Sequence, residues 1–179
     1  MPHIQVLEDG ASVAHALELG GSELMHGKDG DGQSQWAVLV DPVGAAFGLI
    51  PVVGDASAAT DEPETVGCIA WLTLVVPDVP SMCEFYERVV GWSAVSTDVD
   101  GEFELRRSDG VASAAICHAA GDHEGVPPVW ILGLPVDELD ASLRLVRESG
   151  GEIINGSTET GRAVIRDPVG VFVALQANR

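Results

Sequence analysis

The chain has 179 residues, 46% of them hydrophobic, which is enough to bury a core and excludes global disorder. Its formal net charge is −19, with Lys28 the only lysine, which sets nucleic acid and anionic membrane surfaces aside as partners. No apolar run approaches the ~18 residues of a membrane span, the N-terminus MPHIQVLEDG has no export-signal pattern, and three cysteines without a CxxC predict free thiols in a reducing cytoplasm.

The first unit covers residues 1–53. A strand is expected over His3 to Leu7, then a helix over Ala11 to Leu19 with Asp9 as N-cap and Gly20 as its stop. Ser22 to His26 reads as a strand and residues 28–32 as a polar loop. Trp36 to Val40 and Ala45 to Val52 form a hairpin around Asp41-Pro42-Val43-Gly44. That tetrapeptide suits a type I turn: Asp bonds the backbone ahead, Pro fixes the second position and Gly fits the fourth. It is read as a plain turn. Residues 54–67 are small, acidic and turn-rich, a solvated linker.

Residues 68–179 hold two further units. Ile69 to Val76 is an apolar strand, and Asp78 or Ser81 caps a helix through Val90, with Gly91 ending it. Met82, Phe85 and Tyr86 lie at helical spacing and read as core. Strands follow near Ser93 to Thr97, Glu102 to Arg107 and Val111 to Cys117, then a second linker over 119–128. The third unit has a strand at Trp130 to Val136, a helix capped by Asp137 with Leu139, Leu143 and Val146 on one face, and a strand at Glu152 to Ile154. It closes on Asp167-Pro168-Val169-Gly170, the same tetrapeptide that begins at Asp41. Both copies stand downstream of a Gly-Gly pair, Gly20-Gly21 and Gly150-Gly151, so the chain repeats a module.

A strand–helix–three-strand unit with Gly-Gly after its helix and Asp-Pro-x-Gly before its last strand resembles the vicinal oxygen chelate superfamily. That group includes glyoxalase I, bleomycin-resistance proteins and extradiol dioxygenases. The segment AWLTLVVPDVPSMCEFYERVVGW is similar to the family's opening strand and helix. The resemblance implies an α+β fold of βαβββ modules. Residues 68–179 would be one complete two-module domain and residues 1–53 a single extra half, either of this chain alone or of a longer gene product.

The resemblance further implies that metal-binding members place one ligand on the first and one on the last strand of each module. Those places fall on Trp71, on Ile131 or Trp130, on Ala174, and within Ala114 to His118. Three ligands are the ordinary minimum for a catalytic ion, and His118 alone does not supply them. No metal and no cofactor is therefore expected.

Strand alternation puts Trp71 and Thr73 on one face and Leu72 and Leu74 on the other. Trp36, Trp71 and Trp130 are candidates for an aromatic wall, and Glu102, Glu104 and Arg106 form a polar face. Ligand-binding candidates are Trp71, Thr73, Glu104, Arg106, His118, Trp130 and Ala174. Adjacent Cys117 and His118 point to opposite faces, which disfavours them as a catalytic pair.

The function expected is binding of a small organic molecule between modules, as in bleomycin-resistance proteins. The alternative is a metal-dependent lyase, isomerase or dioxygenase using His118, Glu102 or Glu104, and a third option is a module kept for assembly only. The uncovered face of residues 1–53 predicts a homodimer through that unit.

Overall fold

The computed structural model describes residues 1–52, 66, 68–98, 101–157 and 161–178. Most of the linker expected over 54–67 lies outside the described residues. The order strand–helix–three strands recurs along the chain. It comprises β1 (His3–Val6), α1 (Asp9–Glu18), β2 (Ser22–Lys28), β3 (Ser34–Val40) and β4 (Ala46–Pro51). Next come β5 (Trp71–Val76), α2 (Val79–Val90), β6 (Ser93–Ser96), β7 (Glu102–Arg106) and β8 (Ala112–His118). The last set is β9 (Val129–Val136), α3 (Leu139–Glu148), β10 (Glu152–Ser157), β11 (Arg162–Arg166) and β12 (Phe172–Ala177). A 3-10 turn, Gly121–His123, interrupts the loop before β9.

Local chemistry explains the boundaries. Asp78 caps α2 by accepting from the Ser81 N–H at 3.3 Å, and Gly91 at φ +78° closes it. Asp9 and Asp137 are not caps: Glu8 and Glu138 hold those positions and make no side-chain capping bond. α1 and α3 end alike. The Gly21 and Gly151 N–H groups each reach back 2.8 Å to Ala16 O and Val146 O, with Gly20 and Gly150 in the left-handed region at φ +89° and +83°.

The strands make two sheets. One has four strands in the order β1-β4-β3-β2. The other has eight, β10-β11-β12-β9-β5-β8-β7-β6, so the second and third units share one continuous sheet rather than facing as separate shells. Their junction is the antiparallel pair β5–β9, running from Trp71 opposite Gly133 to Val75 opposite Val129.

The largest core crosses from the first unit to the second. Val13, Ala16, Leu39 and Phe47 pack with Leu74, Met82, Phe85 and Tyr86, and Trp130 joins them from β9. Phe47 meets Phe85 edge-on with centroids 6.0 Å apart and Tyr86 at 5.5 Å. The opposite face of the four-stranded sheet leaves Met25 and Trp36 exposed, and β1 is paired on one side only. The homodimer expected through residues 1–53 would use this face and edge. Among the described residues, no helix is long and apolar enough to cross a membrane.

Candidate functional site

Strand alternation splits the eight-stranded sheet into two faces. Leu72, Leu74 and Val76 turn to the cluster around α2, while Leu134, Ile165 and Leu175 pack with α3. The other face is concave. Register lines up Glu104, Ala115, Thr73 and Ile131 across it, and beside them Val164, Ala174, Gly133 and Trp71.

One end of the concavity is filled. Val75, Cys117, Val126, Ile131 and Val164 form a buried hydrophobic cluster, with Ile154, Phe172 and Ala174 packed on it. The other end is open, a cavity of about 260 Å³. Trp71 and Thr73 of β5 line it, as do Ala174 and Gln176 of β12 on the other side of β9. Ala115 and Gly133 are small enough to leave the middle free. A Cβ on Gly133 would stand 3.3 Å from both Cβ and O of Trp71. Glu102, His123 and Arg162 bring polar and charged groups to the rim.

Trp71, Thr73 and Ala174 thus line the cavity. Glu104 and Arg106 are outside it: they share a face of β7 two residues apart and bind each other, Arg106 Nε and Nη2 reaching Glu104 Oε2 at 2.9 and 2.5 Å. His118 is exposed, with its ring against Gly101. Trp130 faces the helices, buried, and donates its indole N–H to Tyr86 Oη at 3.2 Å. Trp36 belongs to the other sheet. Sequence reasoning passed over Gly133, His123, Arg162 and Gln176. Gln176 stands two residues beyond Ala174 on the same strand, so the period of two was signal enough.

Thr73 is to Trp71 as Gly133 is to Ile131, and the pairs Thr73–Ala115 and Gly133–Ala174 occupy equivalent rungs. The uncertain last-strand place of the second unit is therefore Ala115. The four positions where metal-binding relatives would carry ligands hold Trp71, Ala115, Ile131 and Ala174. None has a donor suited to a divalent ion, and no group of three or more His, Cys, Asp or Glu fit to hold a metal occurs among the described residues. The residues present do not fit the group.

Cys117 Sγ stands 3.5 Å from His123 Nδ1, a better-placed pair than Cys117 and His118. Burial first, and then the negative charge of Glu102, push the Cys117 thiol up to about 12. It stays protonated at neutral pH and is a poor nucleophile.

A continuous sheet folded around a cavity between two βαβββ units defines a class of paired-module proteins. Residues 68–175 match the sequence profile of the Glyoxalase/Bleomycin resistance protein/Dioxygenase superfamily, and the chain belongs to that superfamily. It is 33% identical over 118 residues to CFP32 of Mycobacterium tuberculosis, a protein named as a glyoxylase, covering 61% of this chain and 45% of the relative. It is 29% identical over 168 residues to the anthracycline biosynthesis protein DnrV of Streptomyces peucetius, covering 91% of this chain and 60% of the relative. The chain therefore spans roughly half to three fifths of the length of these curated relatives. Among solved structures, the Mn(II)-bound glyoxalase from Novosphingobium aromaticivorans shares the fold, with a TM-score of 0.54, 16% identity, and cover of 98% of this chain and 61% of that one.

Proposed function

We propose that the chain binds a small, flat organic molecule in the cavity between the second and third units and holds no metal ion there. The carrying observation is the lining itself: an indole and a threonine from β5 with an alanine and a glutamine from β12, at a place where the ligand positions hold Trp71, Ala115, Ile131 and Ala174. Trp71 offers a stacking surface, while Thr73, Gln176 and Glu102 offer hydrogen bonds, the usual division of labour in a small-molecule site. A cavity just under the ordinary ~300–1,000 Å³ range favours a ligand of few rings. Two relatives are named for anthracycline biosynthesis, so hydroxylated fused-ring aromatics are the first compounds to try.

The test is a titration of a naphthoquinone and anthraquinone panel, followed by Trp fluorescence, on protein whose metal content has been measured. Saturable quenching that falls at least tenfold in affinity in Trp71→Ala supports the reading. A stoichiometric divalent ion retained by the wild type, with turnover that disappears in Glu102→Gln, would overturn it and favour the metal-dependent lyase, isomerase or dioxygenase.

A further inference from the structure

The two Asp-Pro-Val-Gly turns are built alike, bond for bond. Asp41 Oδ1 accepts from the Val43 and Ala45 N–H groups at 3.1 and 2.8 Å, and Asp167 Oδ1 accepts from Val169 and Val171 at 2.9 and 2.8 Å. In each, the aspartate N–H closes the loop on the carbonyl four residues on, and the glycine N–H returns to the aspartate carbonyl. Their surroundings differ completely. Asp41 is 4% exposed, Ala45 is buried and Val43 packs against the main core. Asp41 Oδ2 receives the Tyr86 hydroxyl of α2 at 3.0 Å. Val169 is 84% exposed, Val171 is exposed and Asp167 is half-buried, and among the described residues Asp167 Oδ2 makes no hydrogen bond.

The helices repeat the contrast. Counting from their caps, Leu145 of α3 occupies the place of Phe85 in α2. Phe85 is buried at the joint between the first and second units, whereas Leu145 is 61% exposed. On the same unit, Gly150, Glu152, Arg166 and the second turn surround an open depression of about 320 Å³. Leu145, Val169 and Val171 are all exposed on this unit, and apolar side chains left uncovered together are a mark of an interaction surface.

The geometry points to this face of the third unit as a docking site for a helix that presents a phenylalanine–tyrosine pair, supplied by a module of the same kind on another polypeptide. The occupied copy of the turn says what fits: a phenol donating to the carboxylate oxygen, as Tyr86 does to Asp41, beside a phenylalanine in the core against which the turn's valine packs. A second copy of this chain is the poorer occupant. Its own Phe85 and Tyr86 are already buried on the first turn, and α3 offers Leu145 and Val146 in their places, with no hydroxyl.

The test uses the full chain and a hydrocarbon-stapled helical peptide of the α2 sequence, residues 78–92, labelled for fluorescence polarisation. Expected is saturable binding that weakens about tenfold when the peptide's tyrosine is replaced by phenylalanine, and at least tenfold in the Val169→Asp and Leu145→Glu proteins. Both protein substitutions fall on exposed side chains, and an unchanged melting temperature verifies that they leave the fold intact. No saturable binding at millimolar peptide overturns the inference. So does binding indifferent to the phenol and to both substitutions, which would be adhesion. A wild-type dimer in light scattering that Val169→Asp dissociates would also overturn it, by showing the face to be filled by a second copy.

Discussion

At the scale of single residues, the chain Trp130–Tyr86–Asp41 ties the three units together. The indole donates to the phenol and the phenol to the carboxylate, each bond made away from water. Tyr86→Phe deletes one oxygen and leaves a buried N–H and a buried carboxylate oxygen unmatched. It should destabilise the fold by about 2–3 kcal/mol in a denaturant titration, well beyond what loss of a hydroxyl from an exposed tyrosine does. The carboxylate also gives a pH signature. Burial raises the Asp41 pKa above 3.8, against the lowering effect of its hydrogen bonds. Between 3.8 and the raised folded value, the native state binds the proton more tightly than the unfolded chain. Stability from this group therefore falls as pH rises through that window and stays lower above it. Asp41→Asn keeps an oxygen for the Val43 and Ala45 N–H groups and removes the titration. Its melting temperature, plotted against pH and subtracted from that of the wild type, should isolate a slope of this sign; identical slopes would place the carboxylate in water.

At the scale of elements, the Gly-Gly pairs show how much of the architecture could be read directly. The first glycine of each pair takes a left-handed φ that other residues resist. The second has a different reason. A Cβ on Gly21 would sit 2.8 Å from Ala16 O and 3.0 Å from Val40 O, and one on Gly151 would sit 2.9 Å from Val146 Cγ1 and 3.0 Å from Arg166 O. The helix end lies directly on the neighbouring strand, so Gly21→Ala and Gly151→Ala should each lower stability by about 1–3 kcal/mol through backbone displacement. A chemical-denaturation midpoint checks this, and a neutral result would mean the helix end moves freely. Strand and helix identities were legible because periodicity and turn chemistry agree along the chain. The polar stripe of β7 divides along its length for a physical reason. Glu104 and Arg106 do share a face, but opposite charges two residues apart on a strand satisfy one another, and Glu102, one step earlier, reaches the cavity instead. Trp130 missed the cavity because a one-residue change of register turns a strand residue to the other face.

At the scale of the whole molecule, sequence could not tell two identical turns apart, because what distinguishes Asp41 from Asp167 is the surface each meets and not its own neighbours in the chain. The consequence reaches beyond the turn. Residues 68–179 look self-sufficient when matched to a family pattern, yet the core of the second unit is shared: Phe85, Tyr86 and Met82 are shielded by Val13, Ala16, Leu39 and Phe47 of the first. Removing residues 1–66 would bare two aromatic rings and their aliphatic surround on the outer side of α2. A large side chain kept from water contributes about 1.5–3 kcal/mol, so a few such losses rival the 5–15 kcal/mol by which domains are ordinarily stable. The fragment 68–179 should therefore emerge aggregated or bind a hydrophobic dye strongly, and co-expression with residues 1–66 should restore a soluble complex. A monodisperse fragment with a melting temperature matching the full chain would instead make the first unit a passenger and the Asp41–Tyr86 bond incidental.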